Sequence, residues 1–228
     1  MIAVVIPTYS RPQLIARALK SLFNQTYQDW RCVIVKNGRD MRPDYHRSLE
    51  LFEQDERINV LYTPNPSLPR ALNDGFRFLQ DEYCAVLEDD DEWHPSFLER
   101  MVTFMETWQD VGALYCDQVE IHEGKEVNWV GTYRKPFNRR ILLKHNWIAF
   151  PMVMFRRECL LEFDENCGGA TDWDTWLRMS AKHKFFRLAE TLVTHHWDGT
   201  NYCLQQRLMQ RADEYIAQKK AQGLYTCE

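Results

Sequence analysis

Tyr83-Cys84-Ala85-Val86-Leu87-Glu88-Asp89-Asp90-Asp91-Glu92 decides how this chain folds and where its chemistry sits. An apolar run of strand length leads directly into five consecutive carboxylates. Such a run reads as a strand buried on both faces, the kind found in parallel sheets. In open α/β sheets, ligands bind just beyond the carboxyl ends of the strands. Adjacent carboxylates repel one another, and burying one without a partner is costly. A divalent cation would neutralise them, and Mg²⁺ or Mn²⁺ takes carboxylate oxygen together with substrate phosphate. The plain alternative is a solvated loop capping a helix that begins near Pro95, the usual fate of a charge block. Position at a strand end favours the ligand site.

Upstream, strand-like and helix-like segments alternate. Ile2 to Ile6 is rich in β-branched residues and is stopped by Pro7. Ser10 can cap the next helix, with Pro12 in its first turn, and Leu14, Ala18, Leu19 and Leu22 recur at helical spacing. Cys32 to Val35 is a second strand, closed by the turn signal Asn37-Gly38. A helix near Pro43 to Gln54, a strand near Ile58 to Tyr62 and a helix from about Leu68 to Leu79 lead to the quoted strand. This order predicts βαβ units. Downstream, Leu114 to Ile121 and Glu126 to Tyr133 flank Glu123-Gly124-Lys125 as a hairpin, and Pro136 to His145 is a basic loop or short helix. Asp172 to His183 shows helical spacing through Trp173, Trp176, Leu177 and Ala181. A last helix, Leu204 to Ala217, carries one apolar stripe at 204, 208, 212 and 216. With no repeat or linker, the expected architecture is one α/β domain over residues 1–228: a Rossmann-like, mostly parallel central sheet flanked by helices, with an irregular half from residue 111 onward.

Composition narrows the function. The 228 residues are 45% hydrophobic and 27% charged, as in soluble globular domains. With 28 basic and 33 acidic residues the net charge is −5, which argues against nucleic acid as a partner. The longest apolar run, Trp147 to Phe155, contains Pro151 and falls far short of the roughly 20 residues of a membrane helix. The first residues lack the basic region and cleavage site of a signal peptide. Seven cysteines, an odd number without a Cys-x-x-Cys pair, fit reduced thiols in a cytoplasmic protein rather than disulfides or a zinc cluster. Aromatic residues reach 13%, and such rings line sugar and base pockets.

Five segments, in order, resemble a family 2 glycosyltransferase with the GT-A fold. They are Val5-Ile6-Pro7-Thr8-Tyr9-Ser10-Arg11, Ser21-Leu22-Phe23-Asn24-Gln25-Thr26-Tyr27, Ala71-Leu72-Asn73-Asp74-Gly75, the acidic cluster with Trp93 and Pro95, and Thr171-Asp172-Trp173-Asp174-Thr175-Trp176-Leu177-Arg178. The resemblance implies transfer of a sugar, with inversion, from a nucleotide-diphosphate donor to an acceptor hydroxyl. It implies a donor-binding half at 1–110 and an acceptor-binding half at 111–228, with polysaccharide or glycolipid synthesis as the setting. On the donor side it points to Pro7, Thr8, Tyr9, Arg11, Lys36, Asn37, Arg70, Asn73, Glu88 and Asp89. The acidic cluster resembles the family's DxD motif, with Asp90 the first choice as ligand of Mn²⁺ or Mg²⁺, joined by Asp91 and by His195 or His196. Asp172 falls at the position of the general base, with Asp174 as fallback; the bland reading of Asp172 is a helix N-cap.

One departure stands out. Lys36-Asn37-Gly38 occupies the place of an Asp that pairs with the base, and an ammonium accepts no hydrogen bond. The base of the donor is therefore left open. Arg134, Lys135, Arg139, Arg140 and Lys144, interleaved with Trp129, Tyr133, Phe137 and Trp147, read either as a solvated loop or as a site for a carbohydrate or lipid-linked acceptor. A membrane-bound acceptor would require peripheral association, at the inner face of the membrane. Two other readings compete. A sugar nucleotidyltransferase normally carries a glycine-rich loop after its first strand, which Pro7 to Pro12 lacks. A non-catalytic nucleotide-sugar-binding module is kept in play by Lys36. Oligomeric state is not legible.

Overall fold

β1, Ile2–Thr8, is buried at all seven positions because it is paired on both sides. It runs parallel to β2 (Trp30–Asn37) and to β4 (Tyr83–Val86), and β3 (Ile58–Thr63) continues the parallel set beyond β2. Val4 lies opposite Cys32 on one side and Ala85 on the other. The computed structural model describes residues 1–9, 11–38, 49–50, 52–64, 66–122, 124–127, 135–197 and 206–225. Ser10, most of the expected helix at 43–54, the hairpin arm beyond 127 with Trp129, Tyr133 and Arg134, and Leu204 lie outside the described residues.

Beyond β4 the sheet changes character. β8 (Val153–Arg156) is antiparallel to β4, and β6 (Val111–His122) is antiparallel to β8. β9 (Lys184–Trp197) then runs parallel to β6, and β5 (Glu92–Trp93) is antiparallel to the far end of β9. The path is β3-β2-β1-β4-β8-β6-β9-β5, with β7 (Lys125–Val127) paired to β6 as the second arm of the expected hairpin. The acidic stretch is thus fastened at both ends, by β4 within the parallel set and by β5 against β9.

Among the described residues the helices include α1 (Pro12–Phe23), α2 (Leu68–Phe78), α3 (Phe97–Thr107), the short α4 (Arg139–Leu142), α5 (Thr171–Met179) and α6 (Gln206–Ala221). Helix α1 starts at Pro12 with no side-chain cap, since Arg11 occupies the cap position. Ser67 caps α2 by accepting the Arg70 N–H at 3.4 Å, and Asn138 caps α4. Helix α5 ends at Met179, four residues earlier than its spacing suggests. Ala212 and Ile216 of the α6 stripe are buried. Among the described residues no helix is long and apolar enough to cross a membrane.

Helix α2 lies very close to the sheet at Gly75, where an added Cβ would stand 2.6 Å from Val5 Cγ1 and 3.3 Å from Val33 Cγ1. Alanine would gain about 1 kcal/mol of helix propensity, whereas overpacking costs roughly 1–3 kcal/mol. The β1 strand is paired on both edges and cannot retreat, so the clash wins. Gly75→Ala is expected to lower the urea midpoint, with an unchanged m-value, by the equivalent of about 1–2 kcal/mol; a raised midpoint would show that β1 yields.

Candidate active site

The carboxyl ends of β1 and β4 meet at a cavity of about 380 Å³, whose walls include Arg11, Glu88, Asp90, Asp172, His195 and Trp197. Leu87 N–H still bonds the Val5 carbonyl at 3.1 Å, so the chain leaves β4 in register with β1. It then turns, with Asp91 N–H bonded to the Glu88 carbonyl at 3.1 Å. Asp89 points inward and is fully buried. Thr8 Oγ1 donates to it at 2.7 Å, and the Arg11 guanidinium bonds its other oxygen. Arg11 also reaches Asp90 at 2.8 Å, while Arg17 donates to the Asp90 carbonyl at 2.5 Å.

Asp91 lies behind the cavity wall, with its Oδ1 2.8 Å from His195 Nδ1 and 3.3 Å from the His196 N–H. Side chains alternate along β9. His195 and Trp197 face the cavity, whereas His196 turns the other way and places Nε2 2.6 Å from Glu92. Of the two histidines named from the sequence, His195 is the one on the cavity.

Crowding of buried acids sets the electrostatics. Burial pushes the Glu88 carboxyl well above its ordinary value, and Asp91 and Asp90 add to the effect. Burial also raises Asp89, to about 7, against the pull of Arg11. Asp91 is raised by burial and opposed by His195. Burial alone would lower the imidazole of His195, but Asp91, Glu88 and Asp90 outweigh it and lift it to about 9. The site therefore holds acids reluctant to ionise beside a histidine that stays protonated at neutral pH, the mark of carboxylates arranged to receive positive charge.

Asp172 enters from the first turn of α5. Its Oδ1 accepts the Trp173 N–H at 2.7 Å and its Oδ2 accepts Asn146 Nδ2 at 2.8 Å. Burial raises its pKa to about 6, opposed by those donors. A carboxylate with that pKa is ionised at neutral pH and can still take up a proton. Asp172 is not the cap; Ala170 is. Asp174, the fallback, is buried, bonds Tyr225 Oη at 2.6 Å and pairs with Arg178, away from the cavity.

The remaining donor-side residues spread along the strand ends. Tyr9 is half exposed, and its ring lies over Gly38, where an added Cβ would stand 2.7 Å from Tyr9 Cε2 and where φ is +106°. Asn37 Oδ1 accepts the Ser67 N–H at 2.7 Å, and Lys36 sits opposite Thr8 in register. Pro7 faces Val35 within the sheet, and Arg70 stands 4.0 Å from Asp74. Asn73 is committed elsewhere: both ends of its amide bond the Phe163 backbone at 2.9 Å, stitching α2 to that segment. Lys36, Asn37, Arg70 and Asn73 do not line the cavity.

The opposite wall holds Trp147 of the expected acceptor segment together with residues that the sequence does not single out. Asp117, Gln118 and Glu120 of β6 line it, with Asn146 and Trp147 from the segment after α4. Arg187 holds Asp117 with two bonds of 2.8 and 2.6 Å, and Trp197 Nε1 donates to Glu120 at 3.0 Å. The only sequence signal for this wall is Trp147, one of the aromatics interleaved with the basic segment. Of the basic segment, Arg139 is spent internally, donating to the Leu177 and Tyr225 carbonyls at 3.1 and 2.7 Å.

Carboxylate oxygens of this kind are the donors a hard divalent cation takes. Asp91 Oδ2 is buried without a hydrogen-bond partner, and Glu88 and Asp90 present carboxylates to the cavity beside an imidazole. Among the described residues, no three such groups stand together ready to ligate; the Arg11 guanidinium holds Asp90 instead.

Solved structures share this architecture. S. aureus TarS in complex with UDP-GlcNAc superposes with a TM-score of 0.75 at 14% identity, over 94% of this chain and 65% of that one. The mannosyltransferase PcManGT of Pyrobaculum calidifontis, in complex with GDP-Man and Mn²⁺, gives 0.71 at 16%, over 100% and 65%. The fold is thus the GT-A type of glycosyltransferases. In sequence, the O-antigen biosynthesis glycosyltransferase WbnJ of Escherichia coli is 26% identical over 232 aligned residues, 100% of this chain and 85% of that protein. Residues 3–163 match the profile of glycosyl transferase family 2, and the chain belongs to that family.

The Arg11–Asp89 pair has a pH signature. The folded pKa of Asp89, about 7 against an ordinary 3.8, means that its ionisation costs stability as pH rises through that window. Without Arg11 the cost keeps growing above pH 7, whereas near pH 5 Asp89 is protonated with or without it. Arg11→Ala is expected to lower Tm at pH 5 only by what its bond to Asp90 contributes, and at pH 8 by about 4–8 °C more, from a further loss of about 2 kcal/mol at Asp89. Equal losses at both pH values would refute the pairing.

Proposed function

We propose that the protein transfers a sugar from a nucleoside-diphosphate donor to the hydroxyl of a growing polysaccharide or glycolipid, by a single inverting displacement that depends on Mn²⁺ or Mg²⁺. The observation that carries this reading is the meeting, in one cavity, of the Glu88 and Asp90 carboxylates with Asp172, a carboxylate ionised at neutral pH. Donor-complexed structural neighbours support the donor class: TarS with UDP-GlcNAc and PcManGT with GDP-Man. WbnJ supports the polysaccharide setting.

The donor half is residues 1–110 and the acceptor half 111–228. Tyr9 over Gly38, at the ends of β1 and β2, offers the flat surface a nucleoside base requires. Asp90 and Glu88 would hold the metal, with His195 beside them, and the cation would supply charge to offset the leaving diphosphate. Arg11 exchanges its carboxylate partners for phosphate oxygens, and His195 adds a second fixed positive charge. Trp147 and Trp197 form apolar walls against which a pyranose ring can lie. Asp172 takes the proton of the attacking hydroxyl. With Lys36 at the end of β2, recognition of the base falls to Asn37 and to backbone groups.

Thermal-shift measurements with UDP, GDP, CDP, ADP and dTDP test this, because a ligand that binds the native state raises Tm by mass action. One nucleotide is expected to stand out, and its shift to grow with Mn²⁺ in wild type and to lose that increment in Asp90→Asn. Asp172→Asn keeps the shift but loses about 10²–10⁴-fold in turnover of the matching nucleotide sugar. Wild-type turnover falls as pH drops through about 6, where Asp172 gains its proton. Full turnover by Asp90→Asn, or in excess chelator, would overturn the metal dependence.

A further inference from the structure

Asn146 belongs to the segment between α4 and β8 and lines the cavity. Its amide cannot be turned at will. The Ile148 N–H donates to Oδ1 at 3.1 Å, and an N–H can face only the oxygen end of the amide. Nδ2 is thereby aimed the other way, where it donates to Asp172 Oδ2 at 2.8 Å and to the Ile148 carbonyl at 3.2 Å. The segment and the helix that carry these two residues are themselves fastened together. Trp173 Nε1 donates to the Leu142 carbonyl at 2.6 Å, and Trp176 Nε1 to the Ile148 carbonyl at 2.8 Å. Both indoles come from α5, one and four residues after Asp172.

We infer that Asn146 is the positioning residue of the base, fixing the direction in which the Asp172 carboxylate faces the cavity and favouring its ionised form. The inference rests on the reading of Asp172 as the base. In that step the acceptor oxygen forms its bond to the anomeric carbon, the nucleoside diphosphate leaves with the electrons of the broken bond, and the hydroxyl proton passes to Asp172. The carboxylate has two donors, the Trp173 N–H and the Asn146 amide, of which only the second is a side chain. A carboxylate that accepts N–H bonds is stabilised as the anion. Here those bonds work against burial. The charged groups sharing the cavity with Asp172 are Glu88 and Asp90 from the loop after β4, Asp117 and Glu120 of β6, His195 of β9 and Arg11 before α1. Cys167 lies before α5, and Asp174, on the helix itself, is bound to Tyr225 and Arg178.

Two variants separate this role from one in building the turn. Asn146→Asp is nearly isosteric and keeps an oxygen for the Ile148 N–H, but it removes the donor and sets a second carboxylate beside Asp172. Asn146→Ala removes both ends. The first readout is the ¹³C titration of the Asp172 carboxyl, identified by its absence from Asp172→Asn. The second is nucleotide release from UDP-GlcNAc, GDP-mannose and a panel of other nucleotide sugars. The Asp172 carboxyl is expected to titrate at higher pH in both variants, by a full unit or more in Asn146→Asp. In both, kcat falls about tenfold or more while donor KM stays within about twofold, and the acid limb of the kcat profile moves with the titration. A turn-building role predicts that Asn146→Asp keeps the wild-type titration, kcat and acid limb, and that result would overturn the inference. A shifted titration in a protein that turns over no donor would instead leave the contact standing and count against glycosyl transfer.

Discussion

A carboxylate with no exposure to water has to be answered from within the protein, and Asp89 is answered from the end of a different strand. Thr8 closes β1 and donates one bond; Arg11, three residues on, supplies charge and a second bond. Neither residue is near Asp89 in sequence. They come together because β1 and β4 are parallel neighbours whose carboxyl ends lie side by side. The resemblance to the family assigns Asp89 the variable place in the acidic motif, yet it is the member that ties the motif to the sheet. Because it is anchored, its neighbours on either side, Glu88 and Asp90, are turned outward to the cavity.

The arrangement concentrates electrostatic cost at the carboxyl end of β4. Glu88, Asp89 and Asp91 are all held above their ordinary range by burial, and each is partly compensated by a cation: Arg11 for Asp89, His195 for Glu88 and Asp91. Removing water strengthens these interactions and makes any incomplete pairing expensive. Asp172 lies in the same cavity but on another element, and its carboxylate is set by neutral donors instead of by cations. The two acidic groupings therefore differ in chemistry although they share one space.

Much of the N-terminal half is legible because its signals are local. The apolar runs of β1, β2 and β4, the Pro12 helix start and the Asn37-Gly38 turn each speak within a few residues. The acidic cluster and Asp172 could be placed by resemblance, since their order along the chain is distinctive. Asn146 gave no signal: one amide in a polar loop has no periodicity, and its partner is 26 residues away. Asp117, Gln118 and Glu120 were hidden for a different reason. They reach the cavity only because β6 pairs with β9 across a ladder whose register shifts three times, and such irregularities leave no trace in hydrophobic pattern. Asn73 shows the converse error of motif reading, since a residue inside a recognisable segment proved to be a stitch between α2 and Phe163.

Strand β9 carries the parity of the site. Because side chains on a strand alternate, His195 and Trp197 share the cavity face and His196 is sent to Glu92. A shift of one residue in register would exchange the two imidazoles and withdraw the indole in a single step. The adjacent histidines look interchangeable in sequence, yet one lines the cavity and the other meets Glu92 by counting alone. The number of residues between the bulges of β9 and its pairing with β5 is thus inherited information as binding as any side chain, and a one-residue insertion there would be a change of active site without any substitution in it.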